Sequence, residues 1–310
     1  MSRYMKIWQA CLCLFFALSP QADAQQKLRI AATTTSIASV AGEIAGSTAE
    51  IYAVAPSNRN LHFISPTPKD VLKVKKADVF VHGGLDLEVW RGPLLDAAGR
   101  KEFISGQRAI DVSHAIELMN PPEEISRVHG DIHVHGNPHY WTDPVNAKQM
   151  ADTLAERLAE IYPDSAELFQ ANAGRFKRRI DERLAEWQKR LAPFKGSKVI
   201  AYHDSWPYFL RRFGLEPAGF LEPQPGIAPT PRHLDELKQI MKNGSVKVIV
   251  LEPYQEKKTA EKLVRETGAV LALLQQNDAP EAGGYEAMIE KNVTALQQAF
   301  LKADAFVREV

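Results

Sequence analysis

Two kinds of hydrophobic pattern alternate along most of this 310-residue chain: short unbroken apolar runs, and stretches in which apolar residues return every three or four positions. Runs of the first kind fit buried strands, and stretches of the second kind fit helices lying on them. The alternation predicts parallel sheets covered by helices. In the first half, 28–32, 51–54 and 79–82 read as strands, with helices around 37–44 and 68–76. In the second half, strands are expected at 198–202, 217–221, 246–251 and 269–274, a helix at 206–213, and a closing helix from 285 to about 303.

The strongest helical signal lies between these halves. A helix is expected over 146–161 after Asp143-Pro144, and Pro163 interrupts it. Asp164 and Glu167 then form the expected capping pair of a second helix. In that helix Leu168, Phe176, Ile180, Leu184, Trp187 and Leu191 make one apolar stripe that lasts to Pro193. At 1.5 Å per residue it is roughly 40 Å long. The predicted fold is α/β, with two lobes of parallel-rich sheets flanked by helices and joined by a long rigid backbone helix. The expected divisions are an N-terminal lobe at 25–143, linker helices at 144–193 and a C-terminal lobe at 194–310. Pro66-Thr67-Pro68-Lys69 and Pro229-Thr230-Pro231-Arg232 each open a helix that leads into a strand. Proline suits the first turn of any helix, so this echo carries little weight by itself.

Residues 1–24 follow a different logic. Arg3 and Lys6 precede an apolar run at 8–18, and Ala22-Asp23-Ala24 has the small-x-small form of a cleavage site. The run is shorter than the roughly 20 residues that span a bilayer. A cleaved signal peptide and a periplasmic protein starting near Gln25 are expected. A lipid anchor on Cys11 or Cys13 competes with this reading, but both cysteines precede the apolar stretch 14–18. Neither cysteine belongs to the expected mature chain, so a metal site there must use nitrogen and oxygen. The full chain balances 38 basic against 38 acidic residues, which provides no electrostatic footprint for nucleic acid or anionic lipid.

Histidine is the residue type with the most informative distribution. Of nine histidines, His129, His133, His135 and His139 fall within eleven residues, the last inside Gly136-Asn137-Pro138-His139-Tyr140-Trp141-Thr142-Asp143-Pro144. His203 follows the strand at 198–202, Glu252 follows 246–251, and His62 lies in the loop after the second strand. Strand carboxyl ends face the ligand crevice of open α/β sheets, and neutral imidazole is a common zinc ligand. His82, His114 and His233 read as surface or capping residues. His129, His133 and His135 read as a solvated loop with weak accessory metal binding.

These segments resemble the metal-specific substrate-binding proteins of bacterial ABC importers, the zinc and manganese family that includes the ZnuA proteins. The resemblance runs from about Leu28 to the C-terminus. Its motifs are His62 with Pro66-Thr67-Pro68-Lys69-Asp70, Ala77-Asp78-Val79-Phe80, Gly84-Leu85-Asp86-Leu87-Glu88-Val89-Trp90, Asn137 to Pro144, Tyr202-His203-Asp204-Ser205-Trp206 and Leu251-Glu252-Pro253. It implies one metal buried between two lobes, with His62 and His139 from the first and His203 from the second. The fourth ligand is a carboxylate, Glu252 or alternatively Asp278. Glu252 is favoured because it follows its strand directly and Pro253 keeps it extended. Asn60-Leu61 departs from the acidic or proline-containing lead-in usual before the first histidine.

Three histidines imply Zn2+ in preference to Mn2+. The function implied is high-affinity binding of a divalent transition metal and delivery to an inner-membrane ABC permease with its ATPase, by a monomer without catalysis. The same scaffold binding manganese or iron, a periplasmic zinc chaperone, and a zinc hydrolase are the alternatives. No H-E-x-x-H segment supports the hydrolase.

Overall fold

The computed structural model describes residues 27–121, 133–224, 226–278 and 283–308. The expected signal peptide and His129 lie outside these residues.

Two four-stranded parallel sheets form the frame. The first contains β1 (Leu28–Ala32), β2 (Ala49–Ala53), β3 (Val79–His82) and β4 (Ala109–Asp111), in the order β2-β1-β3-β4. The second contains β5 (Lys198–Ala201), β6 (Glu216–Phe220), β7 (Val248–Leu251) and β8 (Val270–Leu273), in the order β6-β5-β7-β8. Each sheet reverses its direction of growth beside its first strand in chain order, which opens a crevice at the strand carboxyl ends. The central β3 and β7 are buried at every position, and this accounts for their unbroken apolar sequences.

Helices α1 (Thr35–Ala45), α2 (Pro68–Lys76) and α3 (Arg91–Ala98) belong to the first sheet. Helices α6 (Pro207–Arg212), α7 (Pro231–Asn243) and α8 (Lys257–Thr267) belong to the second. Between them α4 (Pro144–Ile161) and α5 (Ala166–Leu191) pack against each other, and α9 (Gly284–Arg308) lies on α5 and on the second sheet. One apolar core runs from Val40 and Phe80 through Leu154, Phe176 and Trp187 to Val250 and Leu296. The lobes therefore share an apolar interior. Among the described residues no helix is long and apolar enough to cross a membrane.

Three local expectations fail for identifiable reasons. Strand β4 is only three residues long and carries no recognisable apolar run. Pro163–Ser165 is a 3-10 turn that runs directly into α5, so Asp164 is not its cap and Ser165 at the N-cap makes no side-chain bond. Leu168 is exposed, because the buried face of α5 passes through Phe169, Ala173, Phe176 and Ile180.

Candidate metal centre

Three loops at the carboxyl ends of the two sheets bring His62, His139 and His203 together. Each offers one ligand atom, and these atoms lie within 4.8 Å of one another. The residues are 9%, 1% and 7% exposed, respectively.

Local sequence explains each position. His62 is the middle residue of the 3-10 turn Leu61–Phe63. The Asn60 side chain accepts from the His62 backbone N–H at 3.0 Å, buried Leu61 anchors the turn, and Trp90 Nε1 donates to the Leu61 carbonyl at 2.9 Å. His139 precedes the 3-10 turn Tyr140–Thr142, which is tied to both lobes. Tyr140 donates to the Gly83 carbonyl in the first lobe, and Trp141 Nε1 donates to the Gln276 carbonyl in the second. His203 lies two residues beyond β5, which ends at Ala201 and not at Tyr202 as expected, on the crevice side of the second sheet.

Hydrogen bonds also select the ring tautomers. The Asn137 side-chain oxygen accepts from both the backbone N–H and Nδ1 of His139 at 3.0 Å. Nδ1 of His203 lies 2.9 Å from Glu222 Oε2, an acceptor when ionised. Both rings thus hold their proton on Nδ1 and present a lone pair at Nε2, as ligating histidines do.

The geometry suits a tetrahedral cation. Zinc–nitrogen bonds of about 2.05 Å put neighbouring ligand atoms about 3.3 Å apart and imidazole centres roughly 5.2 Å apart. His62 Nε2 and His139 Nε2 are 3.2 Å apart. The three ring centres are separated by 5.2, 5.4 and 5.5 Å.

Electrostatics divide the triad. Burial, reinforced by the neighbouring histidines, holds the His62 and His139 pKa values well below the usual imidazole range. Burial also acts downward on His203, but the Glu222 hydrogen bond and the charges of Glu252, Glu222 and Asp204 outweigh it and raise its pKa.

The remaining sequence candidates are arranged differently. Glu252 is fully buried, and its Oε1 accepts from Trp206 Nε1 and Gln276 Nε2, both at 2.9 Å. Asp278 is buried near the start of α1, its backbone N–H 3.4 Å from Ser36 Oγ, and burial raises its pKa to about 6. Neither carboxylate belongs to the three-residue cluster. His135 is exposed, whereas the His133 ring centre lies 4.9 Å from that of His62. His114 is exposed, and His233 bonds the Phe220 carbonyl. His82 is not at the surface as expected but is buried at the end of β3. Sequence reasoning missed the roles of Glu222 and Asn137. Glu222 carried the same signal that drew attention to Glu252, a carboxylate shortly beyond a strand.

Comparison with known proteins agrees with this architecture. A family model described as "ZnuA: Zinc-uptake complex component A periplasmic" matches residues 30–299. The zinc-binding lipoprotein AdcA of Streptococcus pneumoniae is 27% identical over 93% of this chain, which spans 59% of AdcA. A Zn(II)-bound structure of an AdcAII variant from Streptococcus pneumoniae is 27% identical, with a TM-score of 0.74, over 88% of this chain and 98% of that one. The Mn2+ complex of FpvC from Pseudomonas aeruginosa is 24% identical, with a TM-score of 0.75, over 90% of this chain and all of that one. FpvC shares the fold.

Proposed function

We propose, from the premise that this chain belongs to the ZnuA zinc-uptake family, that it captures zinc outside the cytoplasmic membrane and delivers it to an ABC permease. The chain is a binding protein, not an enzyme, in keeping with the binding and uptake proteins it resembles. The observation that carries the zinc reading is the convergence of three imidazoles from both lobes, two with their Nδ1 protons already committed. Nitrogen donors of this kind favour zinc over manganese, which prefers more oxygen.

His62, His139 and His203 hold the ion in this reading. Capture removes one proton from whichever ring is charged, and delivery requires His203 to separate from the other two. The shared apolar core through α5 keeps such movement small. Export through a cleaved leader at 1–24 fits the reading, as does an acylated leader of the kind that the name of AdcA implies. The importer's permease and its ATPase are the expected partners, approached by a monomer.

Metal analysis of protein purified without chelator, followed by competitive zinc titration, tests the proposal. One tight zinc per chain is expected, weakened by more than about 100-fold in His139→Ala, which is beyond the 10- to 100-fold typical of outer partners. A folded His139→Ala protein with wild-type affinity overturns it.

A further inference from the structure

We propose that the cavity beside the edge strand β4 is a separate binding site, for a small carboxylate that carries a hydrogen-bond donor on the neighbouring carbon, as amino acids and hydroxy acids do. None of its residues belongs to the histidine cluster, so it does not rest on zinc capture.

Strand geometry builds the inner wall. Phe80 and His82 are two residues apart on β3 and so share one face of the sheet, and the parallel register sets Ala109 beside Phe80 and Asp111 beside His82. Phe80 is covered by Phe103, with ring centres 5.7 Å apart. His82 and Asp111 line a cavity of about 410 Å3. Arg91 at the start of α3 and Arg157 of α4 complete the wall, and half-exposed Ile104 adds an apolar patch.

Two buried polar atoms of this wall lack partners. His82 is 5% exposed and its Nδ1 has no hydrogen-bond partner, and neither has Arg91 Nη1, which is also buried. One such atom alone is weak ground, since Asp278 and Gln149 have them too. Two of them, carried by different elements to one cavity, mark a place where a ligand supplies the missing partners. Glu88 does not satisfy Arg91. Its Oε1 accepts from Thr33 and Gly83, and burial pushes its pKa up to about 7 in spite of the Arg91 charge. A water molecule in the cavity would give Arg91 a hydrogen bond but would not balance its charge.

The charges around the cavity define the ligand. The planar fork of Arg91 suits a carboxylate. Arg157 is engaged with Glu160 and donates to the Gln107 carbonyl at 3.1 Å, so it adds positive charge to the outer wall more than free donors. Asp111 Oδ1 accepts from the Ser113 backbone N–H at 2.9 Å and from its hydroxyl at 2.7 Å, which leaves Oδ2 to accept from a ligand. A second negative charge, as on phosphate, would meet that carboxylate, whereas an ammonium or hydroxyl group would bond it. Burial, with the Arg91 charge behind it, lowers the His82 pKa to about 4 and keeps the ring neutral. Its Nδ1 then donates to the carboxylate or accepts from the ligand's donor, according to tautomer.

The test is isothermal titration calorimetry of the full chain with L-alanine, L-lactate and propionate, which differ only in the group beside the carboxylate, and with inorganic phosphate. L-Alanine or L-lactate should bind at least about tenfold more tightly than propionate and phosphate, because a ligand without the donor leaves Asp111 unpaired. The tighter of the two assigns the site to amino acids or to hydroxy acids. Arg91→Gln should weaken that binding by more than about tenfold, and Arg91→Lys by less, since it keeps the charge but loses the fork. Asp111→Asn retains an oxygen for Ser113 and should bring propionate to within about threefold of the preferred ligand. Circular dichroism checks the folding of each variant. The inference is overturned if the wild type binds none of the four, if propionate or phosphate binds as tightly as the other two, or if a folded Arg91→Gln protein keeps wild-type affinity.

Discussion

The two lobes have the same strand order, yet they bring opposite electrostatics to the histidine cluster. In the first, burial keeps His62 and His139 neutral through the physiological range. In the second, Glu222 holds His203 toward its charged form. One lobe therefore offers lone pairs for which protons hardly compete, while at the other protons compete for the lone pair already above the usual imidazole range. Zinc affinity should be sensitive to pH through the second lobe alone until the medium is strongly acid.

The largest effect expected from this contrast is at Glu222. Because the His203 pKa is raised, protons compete with zinc at that ring from above pH 6.5 downward. His62 and His139 join only at much lower pH. Zinc affinity in the wild type should fall by roughly tenfold per pH unit below neutrality, the signature of one displaced proton. Glu222→Gln should weaken binding by up to about 100-fold at pH 7.5, as an outer partner does, and should move the onset of the pH dependence to lower pH. Titrations at pH 8, 7, 6 and 5 read both effects. A threefold steeper slope beginning together near pH 6.5 would show that all three rings titrate alike, and the contrast between the lobes would be lost.

A second comparison sets Glu88 against Glu252, a buried carboxylate beyond the third strand of each sheet. Glu88 Oε1 accepts from Thr33 Oγ1 at 2.6 Å and from Gly83 N–H at 2.8 Å. Burial nevertheless pushes its pKa up to about 7, and burial raises that of Glu252 as well. A carboxyl group with a raised folded-state pKa binds its proton more tightly in the folded chain than in the unfolded one. Stability is therefore lost as pH rises from the unfolded value near 4.5 to about 7 and stays low above it. Glu88→Gln should raise stability by roughly 3 kcal/mol at pH 8 and by almost nothing at pH 4.5. Denaturant unfolding of the metal-free protein at the two pH values checks this. An equal effect at both would mean that packing, not ionisation, governs the site.

The same contrast shows what could be read from the chain. The central strands were legible because β3 and β7 are buried on both faces and leave continuous apolar runs. Strand β4, pairing through Phe80 and Val81 with Ala109 and Ile110, is too short to leave such a mark. Histidines after strands could be singled out, but their mutual approach was supplied by family resemblance. The contact between His133 and Asp86 spans 47 residues and depends on left-handed backbone at Leu85 and Asp86, which neither residue type announces. Glu222 and Glu252 carried nearly the same strand-end signal. Tertiary packing alone put the former on His203 and the latter on Trp206.

The smallest effect separates two helix starts that look alike in sequence. Thr67 before α2 and Thr230 before α7 occupy equivalent places, each leading from an outer strand to a central one. Thr67 belongs to a full capping box, in which Asp70 Oδ2 accepts from the Thr67 backbone N–H at 2.5 Å and from its hydroxyl at 2.7 Å. The other Asp70 oxygen accepts from Tyr52 at 2.5 Å, so the box is tied to β2. The Thr230 hydroxyl accepts from His233 N–H at 3.2 Å, without a box of this kind. Loss of an N-cap hydroxyl costs about 0.5–2 kcal/mol. Thr67→Ala should fall in the upper half of that range and Thr230→Ala in the lower half, because only the former frees a partly buried carboxylate from one of its donors. Chemical denaturation of the two variants at pH 7 measures the difference. Equal losses would mean that the extra bonds around Asp70 survive without the threonine hydroxyl, leaving the two starts energetically as alike as their sequences.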